Sequence, residues 1–350
     1  MKQLKQRALV AACGLFAMLA SGPPAAEAAD KVQLTIANGI APTIPTNWWF
    51  QDFIGPKLKE YSKGQIEPNV QVNGTLCSEH KCVEQAKLGQ IDIGSVSAGN
   101  IGAFGSTFDI LNLPYIFKDD ASAEKLINGW LGDELAKRAE AEMGLHVIAI
   151  IPSYGFRNVD NSKREVRVPS DMKGIKFRVT KTAVESALIH GWGGIPVPYD
   201  WDQLYGGLQT GIVNGMYIPD AYVAAQRFYE VTKYITETGG GWNAHIIFMG
   251  KKRYDGLPAA ARQVIDKIGA EIKASSFRVD REWMDRQNTL LQGKVQIYKP
   301  TSSELQLWYA GAPPAWAVMK GRYDSKLVRR ALSEQGQEPL IKKLESAGAL

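Results

Sequence analysis

The chain has 350 residues, a formal net charge of +5, and a globular composition, 45% hydrophobic and 22% charged. That length exceeds what one ordinary core serves and predicts two lobes. The positive charge is modest and spread, with no basic stripe interleaved with aromatics, which argues against a nucleic-acid partner. The first segment carries Lys2, Lys5 and Arg7, then the apolar run ALVAACGLFAMLA, then a small-x-small site at Ala26-Glu27-Ala28. This pattern reads as a signal peptide, residues 1–28, cleaved near Ala28 to release an exported chain without direct membrane insertion. The competing reading is a lipidation box at Val10-Ala11-Ala12-Cys13. The apolar run is too short to span a bilayer comfortably, and no later stretch is long enough for a membrane helix.

Residues 31–38 alternate and predict a first strand, followed by a Pro- and Asn-containing loop and a helix over about 48–62. A short strand at 70–72 precedes a helix over 78–88. There Ser78 is the expected N-cap, which puts Cys77 at N′ and Cys82 at N4, positions that touch. In an oxidising compartment a Cys77–Cys82 disulfide is the preferred reading. Metal binding by Cys77, His80 and Cys82 is the alternative, although that spacing matches no standard zinc site. Strands follow at 91–96 and 146–152. The pattern then restarts with strands at 175–179, 195–197 and 212–218 and helices at 182–190 and 201–210. The segment 258–292 predicts one long helix, with further helices at 302–310 and 325–347. This alternation is the grammar of an open α/β sheet flanked by helices. No linker separates the halves, so the chain must cross between lobes more than once, and ligands of such sheets bind beyond the carboxyl ends of strands.

Catalytic patterns are sparse. GSVSAG at 94–99 fails the nucleophile-elbow spacing, the four histidines form no metal pattern, and the glycine-rich stretches lack phosphate-loop order. The expectation is a non-enzyme without cofactor or metal; a secreted hydrolase acting on a carboxylic ester or amide is the alternative. The strand 175–179 places Ile175, Phe177 and Val179 on one face and Lys176, Arg178 and Thr180 on the other. Arg178 is then either a solvated surface residue or a guanidinium turned into a cleft to meet an anion. Arg157 follows strand 146–152, and Trp48, Trp49, Trp192, Trp201, Tyr205, Tyr217 and Trp242 fall mostly in or beside loops, as core or as cleft lining.

Several ordered motifs carry a resemblance. GFRNVDNSKREVRVPSDMKGIKFRV, LGQIDIGSVSAGNIGAFGSTFDILNLPYIF and YDWDQLYGGLQTGIVNGMYIP together resemble the solute-binding proteins of TRAP transporters, the DctP family, over residues 31–320. The resemblance implies a two-lobed periplasmic binding protein fold, each lobe an open mixed sheet flanked by helices, with a long helix spanning both. Lobe I would comprise 29–154 and 244–282, and lobe II 155–243 and 283–350. It implies capture of a small organic acid and delivery to TRAP permease membrane subunits, with a ligand-presenting receptor for a sensor as the alternative. By position, Arg178 resembles the arginine that takes the ligand carboxylate and Arg157 an auxiliary one. Ser97 and Asn47 are expected to donate hydrogen bonds. Tyr217 stands where some relatives have a metal-holding acid, which removes that site, and Ile218 where many have a polar residue. Tyr217, Ile218, Trp242 and Trp48 together suggest an apolar or aromatic monocarboxylate, including a keto or hydroxy acid.

Overall fold

Strand β1 (Val32–Ala37) alternates apolar and polar side chains and forms the inner strand of a parallel trio with β2 (Ile66–Gln71) and β3 (Ile93–Ser97). The computed structural model describes residues 31–41 and 43–350. The expected signal peptide and lipidation box lie outside the described residues. Among those residues no helix is long and apolar enough to cross a membrane.

The sheet continues through two strands of 17 residues each, β4 (Leu145–Asn161) and β8 (Tyr234–Gly250). It is completed by β5 (Lys176–Val179), β6 (Ile195–Pro198), β7 (Gly215–Ile218) and β9 (Gln296–Tyr298). The order is β2-β1-β3-β8-β4-β7-β5-β6, with β9 on β8. The pairs made by β3, β4, β7 and β8 among themselves are antiparallel, and β5, β6 and β7 are mutually parallel where they pair. The mixed α/β class expected from sequence is what forms. The difference is continuity: β4 and β8 pass through both halves, so the lobes share one hydrogen-bonded ladder rather than owning separate sheets. The predicted strand 146–152 is the first part of β4, and β8 was not among the predicted strands.

Midway the β4–β8 ladder breaks, with a register shift between Pro152 and Phe156. Tyr154 and Gly155 sit there at φ 63° and 73°. Glycine adopts that region freely, whereas tyrosine does so at a cost of about 1–2 kcal/mol and must be held. Three contacts hold it: its N–H donates to Asp280 Oδ1 at 2.8 Å, its hydroxyl to Thr43 O at 2.9 Å, and its ring meets Tyr222 edge-on.

The long helix Ala259–Leu291 crosses the same boundary, burying Ile265, Ile268 and Ile272 against Ile151, Ile247 and Leu34 of the sheet. Its spacing follows the helical stripe that predicts a core face. Gly269 allows the close approach, since a Cβ there would lie 2.5 Å from Ile148 O. The predicted helix 325–347 is two, Ser325–Ser333 and Glu338–Ser346. Gly336 at φ 68° and the Gln337 N–H bond back to Leu332 O form the stop between them. The C-terminal segment ties to both halves of the sheet. Trp316 Nε1 donates to Pro114 O, and helix Pro313–Val318 packs on helix Ala183–Gly191.

Candidate functional site: an arginine cleft at converging strand ends

The carboxyl ends of β1, β3, β5 and β7 converge on one small cavity of about 30 Å³. Ile40 follows β1, Ser97 ends β3, Arg178 and Thr180 close β5, and Ile218 and Pro219 close β7. Glu79, Asn100, Trp201, Tyr222 and Asn243 complete much of the wall, with His245 opposite Ser97 on β8.

Strand alternation decides the opening ambiguity over Arg178. Phe177 and Val179 enter the core, while Arg178, only 2% exposed, faces the cavity with Thr180. Its Nε donates to Tyr199 O at 3.0 Å, its only protein hydrogen bond among the described residues, and its guanidinium lies 5.6 Å from the Trp201 ring centre. The two Nη groups are therefore free for an acceptor in the cavity. Burial pushes the Arg178 guanidinium down to about 10; Glu185 opposes this and Arg157 adds to it.

Arg157 is buried in a different way. Nη1 donates to Tyr217 O at 2.9 Å, Nη2 to Asn243 Oδ1 at 2.7 Å, and Nε lies 3.4 Å from Glu185 Oε1. Glu185 is fixed in turn by the Thr180 N–H at 2.8 Å. Arg157 thus clamps β4, β7, β8 and helix Ala183–Gly191 together, and its charge is matched by Glu185.

The remaining wall sets polar groups among Ile40, Ile218, Pro219 and Trp201. The Glu79 carboxylate accepts from the Ser97 N–H at 2.7 Å and from Asn100 Nδ2. Tyr222 shares a 2.6 Å hydrogen bond with Ser153, and Asn243 Nδ2 donates to Ser153 O. Ser97 Oγ, Thr180 Oγ1 and His245 Nδ1 are buried without a protein partner. Burial holds His245 below its usual range, with Glu79 opposing and Arg157 adding, so the ring is a neutral group able to donate or accept.

Of the residues expected from sequence, the structure brings Arg178, Arg157, Ser97 and Ile218 to the cavity. The other four lie elsewhere. Asn47 donates to Asn73 Oδ1 behind the Asn38 turn. Trp48 packs on Trp49 and Phe53. Trp242 stacks on Phe277 and meets Phe117 edge-on. Tyr217 lies edge-on to Trp192 and lends only its carbonyl to Arg157. The reason is alternation: Asn243 and Ile218 face the cavity, so their neighbours Trp242 and Tyr217 face the opposite side of the sheet. In place of Tyr217, Trp242 and Trp48 the cavity has Trp201 and Tyr222 as its aromatics, and it adds Glu79, Asn100, Asn243 and His245, polar groups that sequence reasoning did not single out. The alternating run NAHIIF was the available signal for the last two.

Cys77 and Cys82 form the expected disulfide at the start of helix Glu79–Leu88. Ser78 occupies the N-cap position, though its hydroxyl makes no capping bond. The bridge removes both sulfurs from the alternative metal set, and it anchors the first turn that carries Glu79. Among the described residues no cluster of three or more His, Cys, Asp or Glu side chains forms a metal site.

Comparisons with known proteins show the family and the fold. A sequence profile described as bacterial extracellular solute-binding protein, family 7 (DctP), matches residues 53–322. A solute-binding protein of Verminephrobacter eiseniae is 31% identical over 66% of this chain and 69% of its own length. The C4-dicarboxylate-binding periplasmic protein DctP of Rhodobacter capsulatus is 26% identical over 93% of this chain and 97% of its own. Among solved structures, a TRAP periplasmic solute-binding protein from Polaromonas sp. JS666, bound to D-erythronate, superposes with a TM-score of 0.79. It is 22% identical and covers 86% of this chain and 98% of that one.

Proposed function

The chain belongs to the bacterial extracellular solute-binding proteins of family 7, and from that premise we propose that it captures a short hydroxylated monocarboxylate in the periplasm for a TRAP-type permease. Binding of a small organic acid is the family's activity; the hydroxylated monocarboxylate and the particular permease are our reading. One observation carries it: Arg178 presents two free Nη donors opposite the unpartnered Ser97 Oγ, Thr180 Oγ1 and His245 Nδ1. A planar guanidinium fork matches a carboxylate bidentately. Neutral hydroxyl and imidazole groups match a ligand's hydroxyls, each of which both donates and accepts.

Charge balance narrows the ligand further. Arg157 and Arg178 face Glu185 and Glu79, so the wall is already neutral as a set. A second ligand carboxylate would meet Glu79 with no free cation beside it. A hydroxyl would instead donate to Glu79. This supports a ligand of the erythronate type over a C4-dicarboxylate and replaces the apolar or aromatic acid expected from sequence; the hydroxy-acid part of that expectation is kept.

The cavity has room for about two waters, so a four-carbon acid enters only when the halves part and reclose. The contact that would open joins Gly99 and Asn100 to Thr180 and Lys181. The crossings at Tyr154–Gly155, at Asn243 and in the long helix would be the hinge, close to the lobe boundaries expected at 154/155, 243/244 and 282/283. The test is titration calorimetry on the mature chain stripped of carried-over ligand. D-erythronate is expected to bind at least tenfold tighter than succinate, and Glu79→Gln to narrow that gap. Tighter binding of succinate by the wild-type chain would overturn the reading.

A further inference from the structure

A second cavity of about 860 Å³, within the usual range for small-molecule sites, lies on the other side of the same crossing. The two share walls. Arg157 lines the first and its neighbours Phe156 and Asn158 the second. In the β7 turn, Ile218 and Pro219 line the first, and Asp220 and Ala221 the second. The long helix adds Met284, and the C-terminal helices add Tyr309 and Leu340.

The chemistry of this cavity is opposite to that of the arginine cleft. Its body is apolar, built from Tyr115, Tyr309, Phe156, Met284 and Leu340, and Tyr115 meets Tyr309 edge-on at 4.4 Å. Asp120 and Asp220 stand in its wall without an ion-pair partner among the described residues. Asp220 has a single side-chain hydrogen bond, from Asn158 Nδ2 at 2.7 Å. Burial holds its carboxyl up to about 7, with Asn158 opposing, Glu237 adding and Lys299 on β8's neighbouring segment opposing. The lining lysines, Lys118 and Lys343, are exposed. Two further wall residues carry buried hydroxyls with no protein partner. They are Thr238, 2% exposed, and Tyr115, 9% exposed. A half-desolvated carboxylate without an ion pair among the described residues, beside aromatic faces and unsatisfied hydroxyls, has the chemistry that a cationic, hydrogen-bonding group satisfies.

We propose that this cavity is a second ligand site that takes an organic cation with an apolar body, its ammonium on Asp220 and its body against Tyr115, Tyr309 and Leu340. Because its walls come from both halves and from the crossing itself, an occupant touches the same turn that shapes the carboxylate cleft.

The probe is benzylammonium, with benzyl alcohol as the neutral isostere and benzoate as the reversed charge, each titrated calorimetrically into the mature chain at pH 8. Benzylammonium is expected to bind saturably, at least tenfold tighter than benzyl alcohol, and as well to Arg178→Ala as to the wild-type chain. Asp220→Asn, which can keep a hydrogen bond to Asn158, should weaken it at least tenfold. Leu340→Trp, which places an indole where the apolar body of the probe would lie, from a partly exposed helix position, should change its affinity at least threefold without altering carboxylate binding. Absence of saturable binding, equal affinity for the alcohol, or unchanged affinity in both cavity variants would overturn the proposal. Loss in Arg178→Ala would overturn it as well, by placing the probe in the carboxylate cleft.

Discussion

Replacing the two cleft arginines one at a time should break the protein in opposite ways. Arg178→Ala removes a guanidinium whose charged form is disfavoured by burial, the drop to about 10 corresponding to about 3 kcal/mol. The loss of its one bond, to Tyr199 O, returns about 1 kcal/mol. The ligand-free variant should therefore be as stable as wild type or up to about 2 kcal/mol more so. At a chain of this size that is a melting point between unchanged and roughly 3 °C higher. Ligand binding should fall by about 3–5 kcal/mol, since a buried carboxylate loses its only free cation, which is on the order of 100- to 5000-fold in Kd. Arg157→Ala instead strands Tyr217 O, Asn243 Oδ1 and the Glu185 carboxylate in the interior. That should cost about 3–5 kcal/mol of stability and lower the melting point by roughly 4–8 °C. Thermal melts with and without ligand, beside calorimetry, separate the two. The reasoning fails if Arg178→Ala melts as low as Arg157→Ala while keeping the ligand-induced shift.

Gly99→Ala should weaken ligand binding roughly 10- to 100-fold with little change in ligand-free melting. The new Cβ would lie 2.5 Å from Thr180 Oγ1 in the closed arrangement only, and titration calorimetry reads it. Reducing the Cys77–Cys82 bridge, or a Cys77→Ser, Cys82→Ser pair, should cost about 2 kcal/mol for so short a loop and lower the melting point by roughly 3 °C. A melt under reducing conditions with no shift would count against it. Asp280 is raised to about 7 by burial, the Tyr154 and Gly155 N–H groups opposing, Asp120 adding and Arg281 opposing. A carboxyl whose folded pKa lies above its unfolded value binds more protons when folded. Its contribution therefore destabilises progressively as pH rises from about 4 to 7. Melting should accordingly fall by a few degrees from pH 5 to pH 8, and Asp280→Asn should flatten that slope.

The face that Arg178 shares with Thr180 was legible because a period-2 strand assigns faces locally, but alternation left surface and cleft open; the family resemblance pointed to the cleft, and its burial is a finding of the structure. The disulfide was legible for the same local reason, N′ and N4 touching across one helical turn. The aromatics were not. Which side Trp242 or Tyr217 faces depends on β8 and β7 being placed in the sheet, and Gly239-Gly240-Gly241 masks β8 as a loop. Once β8 is read as continuous, Asn243 and His245 fall on the cleft face and Trp242 on the other. Glu79 was passed over because an acid in the first turn of a helix already has an explanation, the helix dipole. Only tertiary packing reveals that it faces the arginines. Pro152 hid the length of β4 in a similar way: a proline ends most internal strands, but here the ladder shifts register right after it.

The position of the ladder break bears on how so small a cavity could govern the proposed opening and closing. The first half of the sheet contributes Ser97 and His245, the second Arg178 and Thr180. Each group has hydrogen-bonding capacity that no protein neighbour fills. Across the gap the halves meet at Gly99 against Thr180 and through a few hydrogen bonds, Lys181 N–H to Asn100 Oδ1 at 3.4 Å, Gln226 Nε2 to Thr43 Oγ1 at 2.8 Å and Tyr222 with Ser153 at 2.6 Å. On the proposed closure, closing without ligand would bury the unsatisfied groups at about 1–3 kcal/mol per group, set against those few contacts. The proposed hydroxy acid would reverse the sign, its carboxylate satisfying Arg178 on one side and its hydroxyls Ser97 and His245 on the other. On that reading the ligand would supply the missing inter-lobe contact, and its differential affinity for the closed arrangement would set how far the equilibrium moves.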